Sequence, residues 1–151
     1  MADSYRKRIL NYLRDTTLAA INTGSGYNTT PVTRSRGLLQ KDALPDSSFP
    51  AIFVSKASED RENITLNQFK SSMRVTILGY VKNSTGIDGI QAELDDLIED
   101  ICEALEQDRK LGGLSKWLEI KTVDTDDGDY APHGVCGIGV EIVYVTEGIA
   151  A

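Results

Sequence analysis

The sequence predicts an α+β fold, with two amphipathic helices packed on one face of a mainly antiparallel sheet of four to five strands. Three observations carry that expectation. Only two segments place apolar residues at three- and four-residue spacing. The other ordered stretches alternate at period two and fall into hairpin-like pairs. Their order is helix, two or three strands, helix, two strands. With so few helices, the strands are expected to pair largely with antiparallel neighbours.

The first helix is expected from about Ser4 to Asn22, with Tyr5, Ile9, Leu13, Thr16 or Thr17, and Ala20 facing inward. Asp3 or Ser4 can cap it, and the cluster Gly24-Ser25-Gly26 ends it. A weakly alternating stretch, Val32 to Arg36, is the first strand candidate. Ala51 to Lys56 follows the turn formers Pro45, Asp46 and Pro50. Ala57 to Ser71 is polar and long for a hairpin loop, so it reads as a projecting arm. Ser72 to Lys82 sets Met73, Val75 and Ile77 on one face against Arg74, Thr76, Leu78 and Tyr80 on the other.

The second helix, from about Asp88 to Arg109, is the most regular element. Ile90, Leu94, Leu97, Ile98, Ile101 and Leu105 form its apolar stripe. Glu93, Asp95, Asp96, Glu99, Asp100, Glu103 and Glu106 lie on the opposite, solvated face. Asp88 is the expected N-cap, Arg109 and Lys110 suit the C-terminal dipole, and Gly112-Gly113 stops the helix. Two strands, Trp117 to Val123 and Val135 to Thr146, complete the set. In the last of them Ile138, Val140, Ile142 and Tyr144 alternate with Gly139, Glu141, Val143 and Val145.

A chain of 151 residues is most simply one domain, here residues 1–151, and buries roughly 70% of its unfolded surface. Apolar residues at 40% and charged ones at 26% are globular proportions. No apolar run approaches the ~20 residues of a membrane-spanning helix. The N-terminal stretch is too interrupted for a signal peptide, and Cys102 and Cys136 are expected as reduced thiols in a cytosolic product. Charge is uneven. Residues 1–85 hold 12 Lys and Arg against 7 Asp and Glu, a net +5, while residues 86–151 hold 4 against 16, a net −12. The basic residues are spread out without aromatic interleaving, which argues against sequence-specific DNA binding.

The most chemically tempting stretch is Asp124 to Gly137, with four carboxylates, the only histidine and one of two cysteines. A calcium loop counted from Asp124 puts Gly128 at position 5, Asp129 at position 6 and Val135 at position 12, so the ligand register fails. Asp127-Gly128 is a turn signal, and a solvated strand-connecting loop is the expectation. His133 and Cys136 lack a third and fourth soft ligand nearby, which counts against zinc. Cys136 enters a strand of apolar alternation, which counts against a Cys/His catalytic pair. Gly137-Ile138-Gly139 lacks the third glycine and following helix of a dinucleotide loop. Trp117 is expected as a core or interface anchor. No catalytic residue, cofactor or metal ligand is therefore assigned. A small metal-binding module using Asp124, Asp126, Asp127, Asp129 and His133 remains the alternative from a different class.

One constellation has a known counterpart. An N-terminal amphipathic helix leads to a short strand with Arg34, then to the strand entry Phe49-Pro50-Ala51-Ile52-Phe53-Val54. A long hairpin ends in Val75-Thr76-Ile77-Leu78-Gly79-Tyr80, and a helix Leu94 to Ile101 runs into Asp108, Leu111, Gly112 and Gly113 before another strand. An acidic loop and a strand with Glu141-Ile142-Val143-Tyr144 close the order. Across nearly the whole chain this resembles the tail terminator (minor tail, tail completion) proteins of long-tailed bacteriophages.

The resemblance implies a structural virion protein of the tail and neck, assembled in the host cytoplasm. Its subunits would form a homohexameric ring that caps the tail tube, ends polymerisation and presents a surface to the head connector. Implied partners are further copies of the chain, the tail tube protein, a sheath protein where there is one, and the head-side connector or stopper protein. DNA would pass through the ring without sequence-specific recognition, and no membrane is involved. The alternative within the same class is another neck or tail component, a head-tail joining or tube protein. Unlike charges at the two ends of the chain suit head-to-tail contacts. Lys56, Arg61 and Lys70 make the arm the candidate for reaching a neighbour's acidic helix, with Ile64, Leu66 and Phe69 as apolar contacts. Arg61, Ile64, Leu66, Phe69, Lys70, Glu99 and Glu103 are thus the candidate subunit-interface residues.

Overall fold

The structure, a computed structural model, describes residues 4–37, 44–126, 128 and 130–147. The chain is mixed α+β, and its described residues form a five-stranded, mostly antiparallel sheet. The strands are β1 (Thr33–Arg36), β2 (Ala51–Asn63), β3 (Gln68–Lys82), β4 (Trp117–Thr125) and β5 (His133–Glu147). Their order across the sheet is β1-β2-β3-β5-β4. β1 lies parallel to β2, with Thr33 opposite Ala51, and every other pairing is antiparallel.

Helix α1 covers Tyr5–Tyr12 and α2 covers Ile87–Gln107. Residues of both join one core with Ile52 and Val54 of β2, Met73, Val75 and Ile77 of β3, and Ile138, Val140 and Ile142 of β5. Period-two alternation puts those strand residues on one side, so both helices cover the same sheet face. The outer face is not bare. Ala51, Phe53 and Tyr80 form a second small cluster there, with Leu44, Phe49, Leu78 and Val135 packed against it.

In α2 the expected stripe is buried at Ile90, Leu94, Leu97, Ile101 and Leu105. It lies very close to the sheet. A Cβ on Gly134 would sit 2.5 Å from Ile90 and 2.9 Å from Leu94, and one on Gly79 would sit 2.8 Å from Leu97. Those two glycines let the helix backbone approach. The N-cap is Gly86 rather than Asp88, which instead falls in the first turn. Its carboxylate still suits the positive end of the helix dipole.

The first helix departs further from expectation. Ser4 caps it, its hydroxyl accepting the Lys7 amide at 3.1 Å. After Tyr12 the chain widens into a π-helical stretch, Leu13–Thr17, and tightens into a 3-10 turn, Leu18–Ala20. The wider turn advances the register by about one residue. Thr17, Leu18 and Ile21 are therefore buried, while Ala20, expected inside, is exposed.

The arm is the second correction. Residues 57–71 do not form a loop: Ser58–Asn63 of β2 pair with Phe69–Arg74 of β3 around a tip at residues 64–67. Most side chains of this extension meet water on both sheet faces, so no apolar alternation marks it in the sequence. Among the described residues no helix is long and apolar enough to cross a membrane.

Candidate functional site

The acidic stretch between β4 and β5 is built as a connection. Asp126 Oδ1 accepts the Val135 amide at 2.8 Å and Oδ2 accepts the Gly128 amide at 3.0 Å. Its backbone carbonyl accepts Gln91 Nε2 of α2 at 3.0 Å, so the loop is tied down on that helix. Asp124 is an exposed residue of β4 opposite Gly137. Asp127 and Asp129 lie outside the described residues. With each Asp126 oxygen holding a backbone amide, the carboxylate serves the turn. Among the described residues no group of three or more His, Cys, Asp and Glu side chains is placed to hold a metal ion.

His133 and Cys136 are three residues apart on one strand, so they project from opposite faces. His133 packs edge-on against Phe49 on the outer face, with ring centroids 5.4 Å apart. Cys136 sits in the core beneath α2, and burial pushes its thiol up to about 12. A thiol so raised stays protonated near neutral pH and is a poor nucleophile.

The candidate interface residues fall into two groups. At the hairpin tip Ile64 and Thr65 donate their amides to the Gln68 carbonyl at 2.9 and 3.2 Å. Leu66 is fully exposed at 102% and Ile64 half exposed at 53%. Phe69 is half-buried under the Arg61 guanidinium, 4.5 Å from its ring centroid. Lys70 is exposed and lies opposite Glu62 across the hairpin, an opposite-charge pair. Glu99 and Glu103 are on the solvated face of α2, and among the described residues no ion pair joins them to the hairpin.

Trp117 is half exposed, with Arg109 stacked over its ring at 4.7 Å, so it is no core anchor. Asp108, Gly112 and Leu111, which carry the resemblance, tie the helices together. Asp108 accepts the Tyr12 hydroxyl at 2.6 Å and the Gly112 amide at 3.2 Å, and Leu111 is fully buried. The hydrogen bond to Asp108 holds the Tyr12 phenol above its ordinary range.

Two carboxylates escaped the sequence reading. Asp100, expected on the solvated face of α2, is fully buried. It accepts the amides of Asn28 at 2.9 Å and Thr29 at 2.7 Å, together with the Thr29 hydroxyl. Its position between Leu97, Ile101 and Ala104 on the helical wheel is the signal that could have revealed it. Glu59 of β2 gathers Arg6 Nη1 at 2.9 Å, the Tyr144 hydroxyl at 2.8 Å and Arg61 Nε at 3.5 Å. Burial raises its carboxyl, but hydrogen bonds from Tyr144 and Arg6, with the Arg61 charge nearby, outweigh that and hold it below the ordinary glutamate range.

Exposed charge of each sign gathers on particular elements. Arg34 and Arg36 are exposed on the β1 edge, where Arg36 also donates to Asn11 of α1 at 3.1 Å. Asp88, Asp95, Asp96, Glu99, Glu103 and Glu106 are exposed along α2, with only Glu106 in an ion pair among the described residues, to Arg109 at 3.8 Å. Compared with models of known protein families and with curated proteins, the chain matches none.

Proposed function

We propose that this chain is a structural subunit of the tail-terminator type, which assembles into a ring on the end of a phage tail tube. The ring stops tube polymerisation and offers a docking surface to the head-side connector. Its partners are then other copies of itself, the tube protein, a sheath protein in a contractile tail, and the connector. DNA passes through the ring, and no reaction is assigned to the chain.

The observation that supports this reading is the β2–β3 hairpin. It continues beyond the core and ends in an apolar tip, Ile64 and Leu66, flanked by Arg61, Phe69 and Lys70. Burying such a tip in a neighbour removes apolar area from water at about 25 cal/mol per Å². The contact would join unlike surfaces, and repeated contacts of that kind close into rings when the rotation allows.

Capping of purified tails by the double variant Ile64→Asp, Leu66→Asp tests the reading. Both side chains are exposed, so the melting temperature should hold while capping is lost. Normal capping by that variant would reduce the hairpin to a connection. Micrographs of the unaltered chain distinguish the alternative: single rings on tail ends support a terminator, and long free tubes would make it a tube protein.

A further inference from the structure

The outer face of α2 carries its charge against the interests of the isolated helix. Asp95, Glu99 and Glu103 are four residues apart, and like charges at that spacing repel. Glu103 and Glu106 also stand near the negative end of the dipole, and no basic residue occupies the last turn. A cationic surface of matching spacing would turn each of these penalties into attraction.

The β1 edge has that spacing. Val32, Arg34 and Arg36 alternate onto one side of an extended segment, Val32 being 58% exposed and its amide bonded to the Pro50 carbonyl at 2.8 Å. Alternate residues of a strand are about 6.6 Å apart. Four residues of helix advance about 6 Å. The basic pair Arg34 and Arg36 therefore meets the acidic pair Asp95 and Glu99, and leaves Val32 near Ala92, which lies three residues before Asp95, about 4.5 Å along the axis; all three helix residues are exposed. Among the described residues Arg34 and Arg36 form no ion pair of their own, and β1 has a strand on one side only.

We propose that the β1 edge of one copy docks on the outer face of α2 of a second copy, with Val32 against Ala92 and Arg34 and Arg36 against Asp95 and Glu99. The proposal deepens the ring-forming reading and rests on it for the choice of a second copy as occupant. The two surfaces lie on different elements, so the contact is head-to-tail. Exposed charge pairs set register and encounter more than affinity, and the contact should weaken as salt shortens the reach of charge below about 10 Å.

Paired charge reversals test it. One variant carries Arg34→Glu and Arg36→Glu, and the other carries Asp95→Arg and Glu99→Arg. Each is scored by sedimentation velocity at low salt and by capping of purified tails, after its circular dichroism and melting have matched the parent. Each alone should associate about tenfold more weakly than the parent, since both pairs change from attraction to repulsion. An equimolar mixture should recover association, because each variant's edge then faces the other's helix. Association or capping at parental strength by either variant alone overturns the proposal, as does a mixture no better than its parts. Loss of duplex DNA binding by the Arg34, Arg36 variant, with self-association intact, would assign the edge to nucleic acid instead. Failures of the two readings are distinguishable. Normal capping by both variants removes this contact and leaves the terminator reading standing, whereas association that follows the charge rules without capping does the reverse.

Discussion

The two helices cover one sheet face by different means. α2 runs unbroken for 21 residues and presses an apolar column onto strands thinned by Gly79 and Gly134. α1 is regular for only 8 residues before it widens and tightens. It adds polar ties: Arg6 to Glu59, Tyr12 to Asp108, and Asn11 to Arg36. A helix held mainly by apolar contact does not need its exposed charges for anchorage and is free to carry them outside. A helix held partly by ion pairs responds to acid and contributes its polar residues to its own anchorage. The acidic surface on α2 and the polar anchorage of α1 are two consequences of that difference.

The hold of α2 on the sheet depends most on Leu97. It is fully buried over Gly79, and Leu97→Ala should destabilise by about 2–5 kcal/mol, the transfer and cavity terms together. Equilibrium denaturation measures it. A loss under ~1 kcal/mol would mean that the column does not hold α2 to the sheet.

Next in size is Asp100, the polar exception on the apolar helix. Asp100→Ala removes the acceptor for the amides of Asn28, at the surface, and of the half-buried Thr29. An unsatisfied buried group costs about 1–3 kcal/mol, so denaturation should report a loss in that range. Amide exchange at Asn28 and Thr29 should accelerate alongside it. Unchanged exchange at those two amides would show that water replaces the carboxylate without penalty.

Most of α2 was legible from sequence, because a 3.6-residue period over 21 residues leaves one inner column, and Ile90 to Leu105 fill it. The inner faces of β3 and β5 were legible for the same kind of reason. Asp100 was not, since its partners lie 71 and 72 residues away in a segment without periodicity. The break in α1 was not, because one extra residue in a turn leaves no compositional mark between Tyr12 and Leu18. The strand pairing of residues 58–63 was hidden because both its faces are largely polar, so backbone bonds and polar ties such as Arg74 to Asp60 hold it and no apolar period marks it. Of the candidate interface residues, Arg61, Ile64, Leu66, Lys70, Glu99 and Glu103 are exposed and Phe69 is half-buried. The arm itself has a different form.

The polar anchorage of α1 predicts a smaller, pH-dependent effect. The folded Glu59 carboxyl lies below its ordinary value of 4.5, so the folded state binds its proton less readily than the unfolded chain does. Its stabilisation is therefore present above about pH 4.5 and is lost as pH falls through the lower, folded value. Glu59→Gln should lower the melting temperature at about pH 7, and the gap from the parent should shrink as pH falls toward about 3. A gap of constant size over that range would mean that Arg6 and Tyr144 are held by shape and neutral hydrogen bonding alone.

The smallest effect belongs to Glu99, which neighbours Asp100 in sequence and opposes it in the comparison. Glu99 is exposed, with no ion pair among the described residues, and lies four residues from Asp95 and from Glu103. Glu99→Ala removes two like-charge repulsions, each worth about 0.2–0.5 kcal/mol, and introduces the best helix former. The isolated chain should therefore stay within ~0.5 kcal/mol of the parent or gain slightly, most clearly at low salt. A loss comparable to that of Asp100→Ala would place Glu99 in a folded-state contact and remove the idea that this face is held open for a partner. A small gain in the isolated chain, joined to weaker association between copies, is the pattern expected of a carboxylate whose role lies in the contact and not in the fold.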